Sequence, residues 1–220
     1  MNAAFARKTP RRILLVLGSV AALTVPAATA GAAAGKAPHA AGNAGPRGGC
    51  VVAYFDLGET LVHTAEDDSV RYMPRAAAHL RALRALHIPV GLITNVPSSW
   101  GATDAERAAK LKEAVDQDWK GSTPFAWADF GDRIFTPRTE AERKPAPALW
   151  ERAKKAAGGC RVVYEAETAE EVAAGGSLGY VAYRTGQAGR PAYLPAPFIA
   201  ALAQLPAAAT PVRPSEPQPR

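Results

Sequence analysis

The sequence predicts an α/β fold, with a doubly wound parallel sheet of about five strands in a single Rossmann-like domain. Two observations support this prediction. Short apolar runs alternate with segments of helical periodicity between residues 50 and 204. The apolar runs are nearly continuous, as is typical of parallel strands that are buried on both faces. Several runs end at a polar residue, and ligands of such sheets bind at the carboxyl ends of the strands.

Each element has its own local indication. The apolar runs predict strands at 51–55, 90–93, 134–135, 161–164 and 180–183. Helices are predicted from Pro74 to His87, from Thr103 to about Trp119, from Pro145 to Ala157 and from Thr168 to about Ser177. Proline at the first helical position begins the first and third of these helices, and Thr-x-x-Glu capping boxes begin the other two.

The two ends of the chain differ in composition from the middle. Residues 1–30 contain four basic residues and no acidic one, and a 13-residue apolar run precedes small residues up to Ala30. This pattern predicts a signal peptide cleaved near Ala30, since a membrane anchor, the alternative, needs about 20 apolar residues. Residues 31–49 are predicted to be a flexible Gly/Ala/Pro-rich linker, and residues 205–220 a Pro-rich disordered tail. We therefore expect a secreted or periplasmic protein.

The excess of positive over negative charge lies in the terminal segments. The whole chain has a formal net charge of +6, whereas residues 50–204 contain 18 basic and 19 acidic residues. The domain is thus nearly neutral, which excludes a nucleic-acid footprint and a membrane-bound form after signal cleavage. Two cysteines exclude a four-cysteine zinc site. The oligomeric state is left open.

Four short motifs follow one another along residues 50–190. They are Tyr54-Phe55-Asp56-Leu57-Gly58-Glu59-Thr60-Leu61, Leu92-Ile93-Thr94-Asn95, Lys144-Pro145 at the start of a helix, and Val162-Val163-Tyr164-Glu165 followed by a helix and Gly179. Together they resemble the motifs of the haloacid dehalogenase-like (HAD) hydrolase superfamily, in a member with a small cap or none. The resemblance implies a HAD-like fold and hydrolysis of a phosphorylated substrate.

The resemblance also implies roles for individual residues. Asp56 would be the nucleophile that attacks phosphorus and forms an aspartyl-phosphate. Thr94, Asn95 and Lys144 would bind the phosphate, and Lys144 and Thr94 would also assist catalysis by offsetting and holding the developing negative charge. Mg²⁺ would be the cofactor, held by Asp56, the carbonyl of Gly58 and Glu165.

Two positions depart from the family pattern. Phosphatases of the family carry a second Asp two residues after the nucleophile, as general acid and base, and here that residue is Gly58. General acid–base catalysis contributes about 10²–10⁴-fold, so a non-catalytic HAD-like binding protein is the alternative function. Glu165 replaces the usual Asp of the fourth motif. The later acids Glu167, Glu170 and Glu171 are interpreted as first-turn acids of the next helix.

The two cysteines occupy similar positions in the sequence. Cys50 precedes the strand that ends at Asp56, and Cys160 precedes the strand that ends at Glu165. The resemblance implies that these strands are adjacent and parallel, which brings the thiols within disulfide distance. We expect a Cys50–Cys160 disulfide in an exported protein, and two buried reduced thiols are the alternative.

Overall fold

The computed structural model describes residues 49–205. The predicted signal peptide (1–30), the linker (31–49) and the tail (205–220) lie outside the described residues, apart from Gly49 and Leu205 at their ends. Within the described range, no helix is both long and apolar enough to span a bilayer.

A five-stranded parallel sheet forms the centre of the domain. Its strands are β1 (Val51–Phe55), β4 (Val90–Ile93), β5 (Ile134–Phe135), β6 (Arg161–Ala166) and β7 (Val181–Arg184), in the order β5-β4-β1-β6-β7. A separate antiparallel hairpin contains β2 (Val62–Thr64) and β3 (Val70–Tyr72). The predicted α/β fold with a parallel sheet of about five strands is confirmed.

Helices cover both faces of the sheet. They are α1 (Ala76–Ala85), α2 (Asp104–Gln117), α3 (Ala148–Ala156), α4 (Ala169–Ser177) and α5 (Ala196–Leu202). One hydrophobic core joins the sheet to buried residues of α1, α2 and α5, and a second joins it to α3. Alternation along β1 supplies both cores, because Ala53 and Phe55 face the first while Val52 and Tyr54 face the second.

Several elements differ from the sequence prediction. Helices α1 and α3 begin two and three residues later than predicted, so Pro74 and Pro145 precede these helices and do not occupy their first positions. The β2–β3 hairpin and α5 were not predicted, because strands of three residues and a helix of seven are too short to show a period. Strand β6 continues two residues further than predicted and ends at Ala166 rather than before Glu165. Glu165 is therefore a residue within the strand, and Glu167 follows the strand end.

The β2–β3 hairpin lies between β1 and α1 and is joined to its surroundings by backbone contacts. Its start is held to the segment after β1 by a parallel bridge between Gly58 and Val62 and by the Met73 N–H, which donates to the Leu61 carbonyl at 2.9 Å. On its other side, Lys120 donates its backbone N–H to Val70 at 2.8 Å. In the described chain the hairpin supplies the two strands that lie between β1 and α1.

The predicted disulfide is present in the structure. Cys50 and Cys160 are joined, and their Cα atoms are 4.7 Å apart. The register explains the pairing, because Val51 lies opposite Arg161 in adjacent parallel strands and the cysteines directly precede that pair. The bond thus links the amino ends of β1 and β6, whose carboxyl ends carry Asp56 and Glu167.

Replacing both cysteines by serine is expected to destabilise the domain by about 4–5 kcal/mol, because the bond closes a loop of 110 residues in the unfolded chain. Guanidinium denaturation of the oxidised protein and of the double variant measures the difference. Reductant should shift the wild-type midpoint to that of the variant and leave the variant unchanged. Equal midpoints under oxidising conditions would contradict the expectation.

Candidate active site

Asp56 and Lys144 form a buried ion pair at the carboxyl end of β1. The Lys144 Nζ donates to Asp56 Oδ1 at 2.6 Å, and the two side chains are 1% and 11% exposed. Asp56 directly follows the last residue of a central strand, and its N–H donates to the Glu165 carbonyl at 3.0 Å. The structure thus brings together the predicted nucleophile and the predicted cation, which are 88 residues apart in the sequence.

Two further groups hold the ammonium of Lys144. Its Nζ donates to Glu171 Oε2 at 2.7 Å and to the Tyr164 hydroxyl at 3.1 Å. Tyr164 in turn donates its hydroxyl hydrogen to the same Glu171 oxygen at 2.7 Å. Burial, followed by the charges of Asp56 and Glu171, raises the pKa of Tyr164 well above its ordinary value, so the phenol remains a hydrogen-bond donor.

Asn95 fixes the backbone from which Lys144 extends. Its Oδ1 accepts the Lys144 N–H at 2.9 Å, and its Nδ2 donates to the Lys144 carbonyl at 3.2 Å. The amide of Asn95 is thus engaged with protein, so its contribution here is to position Lys144. Thr94 lies at the carboxyl end of β4, 5% exposed, and its hydroxyl makes no hydrogen bond to the Asp56–Lys144 pair within residues 49–205.

Glu165 lies on the other face of the sheet. Because β6 runs on to Ala166, alternation directs Tyr164 toward Lys144 and Glu165 toward α1. The carboxylate is fully buried: Oε1 contacts His79 Nε2 at 3.2 Å, and Oε2 accepts the Leu194 N–H at 2.8 Å. The structure therefore does not bring Glu165, the predicted Mg²⁺ ligand, to the Asp56 carboxylate.

Glu167 takes the position after the strand that the sequence motif suggested for Glu165. Its Oε2 accepts the Thr60 hydroxyl hydrogen at 2.8 Å, and its own N–H donates to the Thr60 oxygen at 3.1 Å. Burial is the main cause that raises the pKa of Glu167, and the charge of Asp56 is the next. The two carboxyl groups therefore lie within electrostatic reach of each other.

Sequence reasoning missed Glu167, Glu171, Tyr164 and Thr60. The capping box at Thr168 concealed Glu171: the Thr168 side chain does accept the Glu171 N–H, at 3.3 Å, but the Glu171 carboxylate turns to Lys144. Glu167 could have been found by extending the apolar strand through Ala166, since it is then the first acid beyond the strand. Thr60 is fully buried and is part of the first motif.

Gly58, which replaces the second Asp of the family, lies in open space. A Cβ atom added at this position would meet no heavy atom within 4 Å, and its φ is outside the left-handed region. Glu59, the next carboxylate, extends in another direction: its oxygens contact His63 Nδ1 and the Thr64 N–H. The backbone at residue 58 therefore permits a side chain that the sequence does not supply.

Four charged groups of this end of the sheet, three acids and Lys144, do not balance one another, and Arg184 adds a cation next to them, with its Nε donating to the Glu167 carbonyl at 3.0 Å. Asp56, Glu167 and Glu171 contribute three carboxylates, and Lys144 is the ammonium in contact with two of them. With all four groups ionised, the cluster has a net charge of −2. A phosphate dianion would be repelled by this cluster unless a cation bound with it.

The chain was compared with known proteins and structures. No family model and no curated protein sequence matches it. Among solved structures it is similar to a candidate HAD-like phosphatase from Mesorhizobium loti, with a TM-score of 0.46 and 14% sequence identity, over 72% of this chain and 88% of that one.

Replacing Glu165 by alanine is expected to destabilise the domain by roughly 3–5 kcal/mol, because it leaves His79 and the Leu194 N–H without their buried acceptor. Glu165→Gln should cost less, since its amide oxygen can still accept from Leu194.

Burial raises the pKa of Glu165, so the folded state favours its protonated form. This stabilisation is complete below the ordinary carboxyl pKa and is lost as pH rises through the folded-state value. Chemical denaturation across this pH range should therefore show a shallower fall in unfolding free energy for Glu165→Gln than for wild type. A parallel pH profile for the two proteins would contradict this account.

Proposed function

We propose that the protein is a phosphatase of the HAD-like type that forms an aspartyl-phosphate on Asp56. The observation that carries the proposal is the buried contact of 2.6 Å between the Asp56 carboxylate and the Lys144 ammonium at the carboxyl end of the central strand. A carboxylate that attacks phosphorus must approach an anion, and the ammonium offsets the charge that accumulates. The substrate is a phosphate monoester whose identity stays open.

The residues around Asp56 fit a bound Mg²⁺ ion. Mg²⁺ is usually held by one or two carboxylates, with waters and phosphate oxygens as the other ligands, rather than by an all-protein cage. Residues 49–205 contain no group of three or more His, Cys, Asp or Glu that could hold a metal ion by itself. We propose Asp56, Glu167 and the Gly58 carbonyl as its protein ligands. When bound, Mg²⁺ supplies positive charge against the phosphate oxygens.

The protein groups around Lys144 keep it in place for this role. Asn95 fixes its backbone, and Tyr164 and Glu171 fix its ammonium on the side away from Asp56. The ammonium is thus held by fixed partners before substrate arrives, which is the arrangement that makes electrostatic stabilisation effective. Thr94, at the end of the neighbouring strand, is the proposed hydroxyl donor to the phosphate.

We further propose that the protein acts outside the cytoplasm, as a secreted or periplasmic protein. The disulfide between Cys50 and Cys160 supports this location, because disulfides persist in oxidising compartments. The signal-like composition of residues 1–30 supports it independently.

A second candidate function is a phosphate-binding protein that does not turn over its ligand. Gly58 favours it, because the position that would hold the general acid has no side chain. Such a protein would retain the charge arrangement at Asp56 and Lys144 and would bind phosphate mimics without hydrolysis.

Asp56→Asn is expected to abolish Mg²⁺-dependent hydrolysis of aryl phosphates, because the amide is too weak a nucleophile to attack phosphorus. Steady-state turnover across a panel of phosphate monoesters measures this. Asp132→Asn is the matched control, since the Asp132 side chain is 96% exposed.

Beryllium fluoride binding by wild type without turnover of any ester would favour the binding protein over the phosphatase. Turnover unchanged in Asp56→Asn would overturn the role of Asp56. Titration calorimetry of Mg²⁺ should further show weaker binding to Glu167→Gln than to Glu165→Gln, because the Glu165 carboxylate is held by His79 and the Leu194 N–H on the other face of the sheet.

Gly58→Asp is expected to increase turnover, by at most the 10²–10⁴-fold that a general acid–base contributes and by less if another side chain already protonates the leaving group. The new side chain has room, because nothing lies within 4 Å of its Cβ position. Gly58→Asn, of the same size without an acid, should give no increase. Equal rates for Gly58→Asp and Gly58→Asn would show that the gain does not come from proton transfer.

A further inference from the structure

A phosphatase without an acid at residue 58 must protonate its leaving group with another side chain. The side chains around the Asp56–Lys144 pair already have hydrogen-bond partners. Lys144 is shared between two carboxylates, and Tyr164 is fully buried and donates to Glu171. The proton carrier must instead be accessible to substrate and close in the chain to the open position at Gly58.

His63 meets both requirements. Its side chain is 36% exposed, and it directly follows Val62, whose backbone is bridged to Gly58. Bridged backbones lie about 4.8 Å apart, so the bridge brings the start of the strand that carries His63 next to the backbone of residue 58. The hairpin that carries His63 is fixed on both sides, by Met73 and by Lys120.

Glu59 holds the imidazole of His63 in one orientation. Its Oε2 lies 2.9 Å from His63 Nδ1, and its Oε1 lies 3.2 Å from the same nitrogen and accepts the Thr64 N–H at 3.2 Å. An ionised Glu59 places a proton on Nδ1 and leaves Nε2 for a ligand. Within the described part of the chain, Nε2 has no hydrogen-bond partner. A carboxylate that orients a histidine in this way is the usual arrangement of a catalytic base or acid.

Stability alone does not account for this pair. The Glu59 side chain is 50% exposed, and exposed ion pairs contribute little to folding. Glu59 also adopts φ 52°, in the left-handed region that is unfavourable for a residue with a Cβ. The backbone is therefore held in an unfavourable conformation for a contact of small structural value, as occurs at functional sites.

We propose that His63, oriented by Glu59, is the proton donor and acceptor that replaces the missing acid at Gly58. The proposal rests on the proposed function, because it needs Asp56 as the nucleophile. Asp56 forms a bond to phosphorus while the bond to the leaving oxygen breaks, and the Nε2–H of protonated His63 transfers its proton to that oxygen. Neutral His63 then takes a proton from water as the water oxygen attacks phosphorus. The bond to Asp56 breaks, and inorganic phosphate, the carboxylate and protonated His63 are restored.

The leaving group provides the test. An alkyl phosphate needs a proton donor because its alkoxide leaves poorly, whereas 4-nitrophenyl phosphate releases a stable anion and needs little help. His63→Gln should lower kcat on the alkyl ester about 10²-fold, with little change on the nitrophenyl ester. Glu59→Gln should give a smaller loss with the same leaving-group dependence. His87→Asn, at an exposed histidine before the opposite end of β4, is the control.

A double variant makes the test specific. In the Gly58→Asp background, His63→Gln should change kcat on neither the alkyl ester nor the nitrophenyl ester, because the new Asp supplies the proton. Thermal unfolding of each variant separates these effects from loss of fold. Equal losses on both esters would show a structural role for His63 and overturn the proposal. No loss on either ester would also overturn it, as would turnover that appears only after Gly58→Asp.

These outcomes are distinguishable from failure of the phosphatase proposal itself. If Asp56→Asn keeps the wild-type rate, or if wild type and Gly58→Asp are both inactive on both esters, the nucleophile assignment fails and the His63 proposal fails with it. If turnover depends on Asp56 but not on His63, the His63 proposal alone fails.

Discussion

The arrangement at the carboxyl end of the sheet depends on one buried ammonium. Lys144 Nζ lies between Asp56 and Glu171, and both carboxylates come from segments that the sheet brings together only in the folded chain. A buried charge is strongly unfavourable without partners, so removal of Lys144 would leave two carboxylates without their cation, whereas removal of one carboxylate leaves the ammonium paired with the other. The same contact that makes Asp56 chemically useful thus also requires β1, α3 and α4 to meet in one geometry.

Because side chains alternate along β6, the acids at the end of this strand lie in two different environments. Tyr164 faces the ammonium, Glu165 faces His79 on the opposite side of the sheet, and Glu167 follows the strand end. The two sides are not independent. His79 stacks on Tyr193 with ring centroids 4.8 Å apart, and the Tyr193 hydroxyl donates to the carbonyl of Thr60, whose own hydroxyl binds Glu167. The buried pair of Glu165 and His79 is therefore connected, through Tyr193, to the loop that follows β1.

Much of this was accessible from the sequence, and the rest was hidden for physical reasons. Apolar runs of four or five residues indicated β1 and β4 correctly, because strands buried on both faces show no polar interruption. The boundary of β6 was misplaced because a carboxylate inside a strand is indistinguishable in sequence from one that ends it. Only the partner reveals the difference, and His79 is 86 residues away. The contact between Glu171 and Lys144 was hidden for a similar reason. An acid three residues after Thr168 has the spacing of a capping box, whether its carboxylate caps the helix or binds a lysine.

The disulfide also determines how the domain bears mechanical load. Cys50 lies one residue before β1, so a pull that arrives from the amino-terminal side meets the covalent bond to Cys160 before it reaches the hydrogen bonds of β1. The force is then shared between β1 and β6 at the end of the sheet opposite Asp56. Strand β1 cannot be separated from β6 at that end without breaking a covalent bond. A force applied from the amino-terminal side therefore leaves the geometry around Asp56 unchanged until the bond breaks.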